Sequence, residues 1–319
     1  ALPISLVKSG ITDIAFIIGG IGSNKVKEYY GNGEKFDAKF TYIKQDSPRG
    51  IAHAISLCKD FVNDEKFLVF LGDNIIQRDI NQYVSDFKKS NSFASLLLCE
   101  VKNPSQFGVA EVKNNKIIKI TEKPKIPASN LAVTGIYLLT PYIFEVIKKL
   151  KPSWRDELEI ADALQILIEE GKEINYGMIT DFWKDTGTPN DIIEANKFLL
   201  EKMQESFKGK KEESTILEGK VMIGKGTIIK GGVKIVGPTI IGQNCIIEKN
   251  SIIGQNTSIG DNSHITESTI SNSIIMSNCI VKGKINIINS IIASNSKIIQ
   301  NQENREKSFL LGEGTQISI

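Results

Sequence analysis

Isoleucine occupies positions 223, 229, 235, 241, 247, 253, 259 and 265 of the chain. A spacing of six held through eight repeats fits neither the 3.6-residue period of an α-helix nor the two-residue period of an ordinary strand. It fits a prism of short strands, in which each isoleucine fills the interior and the chain turns a corner before the next. Four residues after each isoleucine stands a small or β-branched residue: Thr227, Val233, Thr239, Cys245, Ser251, Thr257, Ser263 and Thr269. Residues such as Gly242 and Asn244 supply corner conformations. The pattern predicts a left-handed β-helix of hexapeptide repeats over residues 216–319. Its phase slips after Ile265 and resumes at Ile275, Val281 and Ile287, which predicts a loop or bulge near Ser271. An unstructured Ile/Asn-rich tract would not keep this phase.

Residues 1–205 read differently. Short apolar runs at 14–18, 40–43 and 67–71 alternate with helical patterns at 24–30, 51–58 and 80–88, the signature of βαβ units in an α/β domain with a mixed, mostly parallel sheet. Lys113-Asn114-Asn115-Lys116 between two strand-like runs predicts a hairpin over 109–121. Further helices are expected from Pro141, over 158–170 and over 189–204. The polar residues 206–215 are expected to be a linker.

Cys58, Cys99, Cys245 and Cys279 lie far apart with no CxxC pair, which argues against a zinc knuckle or a secreted disulfide framework and for a reducing cytoplasm. No apolar run approaches the roughly 18–20 residues of a membrane span. A net charge of +2 carries no bias toward nucleic acid.

Three groups of residues could carry chemistry. In Gln45-Asp46-Ser47-Pro48-Arg49-Gly50, between a strand and a helix, Gly50 lets backbone approach a flat ligand and the Gln45 amide can read a base edge; alternatively this is an ordinary connecting loop. Asp73 ends the apolar run 68–71, at the strand edge where open α/β sheets bind ligands, so it is either a Mg²⁺ ligand or a turn aspartate. Asp185 offers a second carboxylate. In Glu122-Lys123-Pro124, neighbouring side chains of a strand point to opposite faces, so acid and base converge only if the backbone is irregular there, as Pro124 permits. Otherwise they form a solvated pair.

Taken in order, Gln45-x-x-Pro48-x-Gly50-x-Ala52, Gly72-Asp73-Asn74, Phe107-Gly108-Val109, Glu122-Lys123-Pro124, Ala132-Val133-Thr134-Gly135, Glu157-Leu158-Glu159-Ile160-x-Asp162 and Trp183-x-Asp185-Thr186-Gly187 resemble the glucose-1-phosphate thymidylyltransferase family. The β-helix and the ending from Gly312 to Ile319 resemble its long form. The resemblance implies that Gln45 and the Gly50 backbone hold the thymine, that Asp73 and Asp185 hold Mg²⁺, and that Gly108, Glu122, Lys123 and Val133 line the glucose 1-phosphate site. Asp73, Lys123 and Asp185 would be the catalytic residues, and dTTP and glucose 1-phosphate the small-molecule partners of a homo-oligomer. Phe107 replaces the tyrosine, and Ile51 the leucine, of many relatives. The family's glycine-rich strand-loop, which cradles the triphosphate, is expected a few dozen residues upstream of the pattern that begins at Ala1.

The implied reaction is attack of a sugar phosphate oxygen on the α-phosphorus of dTTP. It needs no general base, because a phosphate monoester with a second pKa near 6 is already largely dianionic at neutral pH. Two other readings use the same residues. One is a UTP-dependent nucleotidylyltransferase or a subunit that holds nucleotide-sugars without turnover. The other is a β-helical acyltransferase with His264 as its catalytic base.

Overall fold

A computed structural model of the chain describes residues 2–20, 22–77 and 79–300. It divides into two compact units, Ala1–Thr186 and Gly187–Ile319.

The first unit opens with helix α1 (Leu2–Lys8), strand β1 (Asp13–Ile18), α2 (Ser23–Tyr30) and β2 (Lys39–Lys44). β2 lies parallel to β1, with Asp13 opposite Lys39 and Ile18 opposite Lys44. Then follow α3 (Ile51–Ser56), α4 (Lys59–Val62), β3 (Phe67–Phe70), β4 (Asn74–Ile76), α5 (Asn81–Lys89) and β5 (Ala94–Glu100). The predicted hairpin is β6 (Gly108–Lys113) and β7 (Lys116–Glu122), and β8 (Leu131–Leu139) comes next. Asn114 and Asn115 both take positive φ, 51° and 59°, as the tight turn of a twisted hairpin requires. Helices α6 (Tyr142–Ile147) and α7 (Ile160–Glu169) and strands β9 (Ile174–Ile179) and β10 (Trp183–Asp185) complete the unit.

β8 is the spine of the main sheet. β5 runs along one of its edges; on the other, β3 pairs with its C-terminal half and β6 meets it at Ala132. The expected mixed sheet is present, but β8 is antiparallel to β3, β5 and β6, and β5 with β9 is the parallel pair of this sheet. It is therefore less parallel than the alternating pattern predicts. The reason is local: a hairpin and a short link precede β8, and a parallel neighbour needs a crossover of a dozen or more residues. Leu96, Leu97 and Leu98 of β5 are all fully buried, so this strand is covered on both faces.

The second unit begins with α8 (Pro189–Lys202), capped by Thr188, whose hydroxyl accepts from the Asp191 N–H while the Asp191 carboxylate accepts from Thr188 N–H. Asn196 of α8 donates to the Asn256 carbonyl at 3.0 Å and accepts from the Ser258 hydroxyl at 2.6 Å, and Lys220 donates to the Glu201 carbonyl. Periodicity alone would leave this helix with the α/β domain; its bonds tie it to the solenoid. Residues 206–215 are not a linker either. Ser206–Phe207 pairs with Met222–Ile223 and Lys210–Lys211 with Ile228–Ile229, so this stretch is the first coil. Its polar side chains concealed a strand because ladder pairing uses backbone groups.

Among the described residues the remainder is a parallel-strand β-solenoid of three sheets, with 5 or 6 strands in each. Val221 lies opposite Thr239 and Thr239 opposite Thr257, a coil of 18 residues, or three faces of six. All eight periodic isoleucines are at most 2% exposed. The corner residue three places after a buried aliphatic takes positive φ, as at Gly226, Gly232, Asn244, Asn250, Asn256 and Asn262. The small hydroxyl residues face inward, where Thr227 donates to the Gly242 carbonyl and Thr239 to the Gly254 carbonyl of the following coil. These two buried hydroxyls are thereby satisfied and tie successive coils together, whereas the equally buried Ser251 hydroxyl makes no such bond.

No loop interrupts the solenoid near Ser271. Two corners are instead one residue short: Ile270 and Ile275 are buried where a spacing of six would put Ser271 and Ser277. Glu267 and Asn272 then take positive φ two places after the aliphatic rather than three. The repeat distance shrinks accordingly, with Ile252 opposite Thr269 and Ser258 opposite Ile274. Ser268, 1% exposed, takes the inward place predicted for Thr269. The ending from Gly312 to Ile319 lies outside the described residues.

Candidate active site

Four short segments of the first unit bring the predicted residues together. β10 lies antiparallel to β4 with Asp185 opposite Asn74, which places the second carboxylate one residue from Asp73 in register. Thr186 fastens this arrangement, its N–H and hydroxyl both donating to the Asp73 carbonyl at 2.9 and 2.7 Å. Two residues separated by more than a hundred positions thus meet at one strand end.

Asn74, which the motif contains but sequence reasoning gave no role, is the centre of this corner. It is 7% exposed; its amide donates to Asp73 Oδ1 at 2.9 Å, and its Oδ1 accepts from Trp183 Nε1 at 2.6 Å and from Gly135 N–H at 3.3 Å. A Cβ at Gly135 would come within 2.6 Å of the Asn74 amide, so glycine at this place in β8 makes room for it. The Trp183 ring in turn packs edge-on against Phe107 at 5.3 Å.

Gly108, Glu122 and Val133 converge at the next stretch of the sheet. Gly108 pairs with Glu122 across the hairpin, and a Cβ added to it would stand 3.2 Å from Glu122 Oε2 and 3.7 Å from Val133 Cβ. Lys123 leaves the strand in the left-handed region, φ 39°, with its N–H donating to the Phe107 carbonyl at 3.0 Å. The irregular backbone needed to free an acid and its neighbouring base from strict alternation is therefore present. A non-glycine residue in that conformation carries a cost of order 1 kcal/mol, met at functional sites more than elsewhere.

The loop before α7 adds Arg155 to the acidic residues of the Glu157-Leu158-Glu159 motif. Arg155 makes forked bonds to the buried carboxylate of Glu159, Nη2 reaching both oxygens at 3.0 and 2.9 Å, and the same nitrogen lies 3.3 Å from Glu157 and 3.7 Å from Glu122. Burial pushes the Glu122 carboxyl up, Glu159 adds to this, and Lys123 and Arg155 oppose it. Burial and Glu159 also raise Asp162. Tyr137 of β8, raised chiefly by burial, feels both Glu122 and Asp73, so the two carboxylate groups share one electrostatic neighbourhood. The aspartate of Glu-Leu-Glu-Ile-x-Asp and Arg155 were missed because sequence alone does not reveal which members of a charged loop turn inward.

Gln45 and Gly50 join from the other side. Gln45 Nε2 lies 2.8 Å from His53 Nδ1 and 3.4 Å from the Gly50 carbonyl. Gly50 has φ 92°, and a Cβ there would meet the Leu158 carbonyl at 2.5 Å. Hydrogen bonds from Ala52 N–H to Leu158 O and from Leu158 N–H to Arg49 O staple the two loops. The close approach that makes glycine necessary is thus to the chain's own backbone, and it sets the Gln45 loop beside Glu157 and Glu159.

A raised carboxyl favours the folded state while protonated, and that contribution is lost as pH rises through its folded pKa. Glu122→Gln is therefore expected to raise the melting temperature at pH 7, with the gain shrinking toward pH ~4, where carboxylates protonate in the unfolded chain too. Thermal unfolding of both proteins at the two pH values checks this; a gain that does not depend on pH would contradict it.

His264, the acyl-transfer candidate, sits on the outer face of the solenoid with Nε2 3.3 Å from Glu248 and Ile246 and Ile280 beside it in adjacent coils. The four cysteines are buried free thiols. Among the described residues no helix is long and apolar enough to cross a membrane, and no group of three or more His, Cys, Asp or Glu is arranged to hold a metal. Two carboxylates still suit Mg²⁺, which prefers oxygen ligands and keeps several waters or substrate phosphates in its shell.

The nucleotidyl transferase family model matches residues 3–202. The chain belongs to the nucleotidyl transferase family. A second model, the GMPPB C-terminal domain, matches residues 235–318 of this chain. It is 40% identical over 217 residues to the low-salt glycan biosynthesis nucleotidyltransferase Agl11 of Haloferax volcanii, covering 68% of this chain and 61% of that protein. To a glucose-1-phosphate thymidylyltransferase of Streptomyces antibioticus it is 38% identical over 240 residues, covering 75% and 67%. A Bacillus anthracis structure, of a protein assigned as a glucose-1-phosphate thymidylyltransferase, superposes with a TM-score of 0.59 at 42% identity over 64% of this chain and 82% of that one. The chain thus spans 61% of the first relative's length and 67% of the second's.

Proposed function

We propose that this nucleotidyltransferase transfers a thymidylyl group from dTTP to glucose 1-phosphate, releasing pyrophosphate and forming dTDP-glucose. The observation that carries the reading is the convergence of Gly108, Glu122 and Val133 on one sheet stretch, with Asp73 and the strand of Asp185 joined at the neighbouring strand end. The relatives named as thymidylyltransferases support the choice of substrates.

Glu122 accepts hydroxyl protons of the sugar, and its burial strengthens those bonds relative to water. Gly108 leaves the space that a ring needs beside it. Lys123 places a point charge next to the sugar phosphate and so lowers the repulsion between two anions. Asp73 and Asp185 are the residues that would hold Mg²⁺, which when bound neutralises charge building up on the triphosphate. No residue abstracts a proton. Catalysis then consists of holding the nucleophilic oxygen in line with the departing pyrophosphate.

Uracil and thymine present the same edge to Gln45, so dTTP over UTP is the finest element of the proposal. With full-length protein and glucose 1-phosphate, pyrophosphate release is expected to be fastest with dTTP, slow with UTP and slower with GTP. Faster turnover of UTP or GTP at equal concentration would replace the thymidylyl assignment with another nucleotide while keeping the reaction type.

A further inference from the structure

We infer that His53 is a positioning residue for base recognition: it fixes which end of the Gln45 amide faces the nucleotide. The inference rests on the proposed role of Gln45 in reading the base. Gln45 immediately follows β2, and His53 lies on α3 with 8% exposure. A glutamine amide offers a donor and an acceptor of nearly the same shape, so an unrestrained side chain flips at little cost and reads no base reliably. Here two groups meet the same nitrogen. The Gly50 carbonyl can only accept, which identifies the atom facing it as Nε2, but at 3.4 Å this bond is near its limit. The contact of 2.8 Å to His53 Nδ1 is the short one. With Nε2 donating, Nδ1 accepts and the ring proton resides on Nε2 of the imidazole.

That assignment requires a neutral ring. Burial, and then the positive charge of Arg49, both lower the His53 pKa, so the imidazole stays uncharged at neutral pH and its Nδ1 lone pair remains available. Flipping the amide would set Oε1 against two acceptors at once. The consequence is that Oε1 is the end left for a ligand, and among the described residues no donor is bonded to it. Thymine and uracil present a donating N3–H to such an acceptor. Cytosine presents a bare N3 lone pair in the same place, and the pair repels. His53 therefore acts on specificity without touching the base.

The test compares affinities of the full-length protein for dTTP and dCTP, which differ in the base and share the sugar and triphosphate, by isothermal titration. His53→Leu, similar in bulk and without an acceptor, is expected to lower the dTTP to dCTP ratio about tenfold, the worth of one hydrogen bond plus the freed flip. His53→Asn, whose Oδ1 lies close to the place of Nδ1, is expected to retain most of the ratio. Affinity for glucose 1-phosphate should stay unchanged in both. If His53→Leu does not fold, His53→Gln serves as the loss variant, because its amide lies at the Nε2 position rather than at Nδ1. A wild-type ratio in the folded loss variant, or an equal loss in His53→Asn, would overturn the inference. Gln45→Ala is the control for the reading beneath it: a lost ratio supports that reading, and an unchanged ratio would remove base recognition from Gln45 and the inference with it.

Discussion

Asp73→Asn and Asp185→Asn should each lower turnover roughly 10³-fold or more while leaving the fold intact, because in the proposed reaction each would remove a carboxylate charge that holds Mg²⁺ and replace it with a neutral amide of the same shape. The fold is protected for a structural reason. Thr186 bonds to the backbone carbonyl of Asp73, and the register of β4 with β10 is set by main-chain pairing, neither of which the substitutions remove. The side chain of Asp73 accepts from the Asn74 amide, and an asparagine oxygen accepts that bond as well. Pyrophosphate release at saturating Mg²⁺, with circular dichroism to verify folding, reads the effect. Near-normal rates in either folded variant would return that aspartate to the turn role that Asp73 and its neighbours could equally have played.

The largest loss of stability is expected at Ile247→Asp. Ile247 is 0% exposed and sits between Ile229 of the preceding coil and Ile265 of the next, so its side chain is one link in a continuous aliphatic column. A carboxylate there must be desolvated or held protonated, and either costs at least about 4 kcal/mol. That is a large fraction of the roughly 5–15 kcal/mol by which domains are stable. Because each coil contacts chiefly its neighbours, the disruption should begin locally and reach the adjacent coils. Urea unfolding followed separately in the solenoid and through ligand binding by the first unit would show this: the solenoid transition should move to lower urea, whereas an unshifted midpoint would contradict the buried column.

Much of this architecture is legible in the residues because its physics is local. The six-residue spacing survives in the structure since each isoleucine from Ile223 to Ile265 enters the prism, and the asparagine turn of the β6 and β7 hairpin follows from two residues that tolerate positive φ. What was illegible depends on partners distant in sequence. Shortened corners at Glu267 and Asn272 resemble an inserted loop when phase is the sole guide, because a deletion and an insertion disturb the register alike. The first coil at 206–215 was hidden by its lysines and glutamates. Parallel and antiparallel pairings of β8 cannot be told apart from a strand buried on both faces.

The candidate site shows the same division. Asp73, Asp185, Glu122 and Gly108 are recognisable as types at strand ends, but their meeting depends on the β4 and β10 register and on the irregular backbone at Lys123. Asn74, Arg155 and His53 had no signal of their own. A buried asparagine, a forked arginine and a neutral histidine matter here through what they hold, and only the folded chain shows what that is.

The reaction itself is tested most directly by incubating full-length protein with Mg²⁺, glucose 1-phosphate and dTTP labelled at the α-phosphorus, and separating the products by anion exchange. All label lost from dTTP should appear as dTDP-glucose, in one-to-one proportion with unlabelled pyrophosphate released, and its formation should fall steeply with Lys123→Ala. Tight binding of both substrates with no labelled nucleotide-sugar formed would instead identify a protein that holds these ligands without joining them.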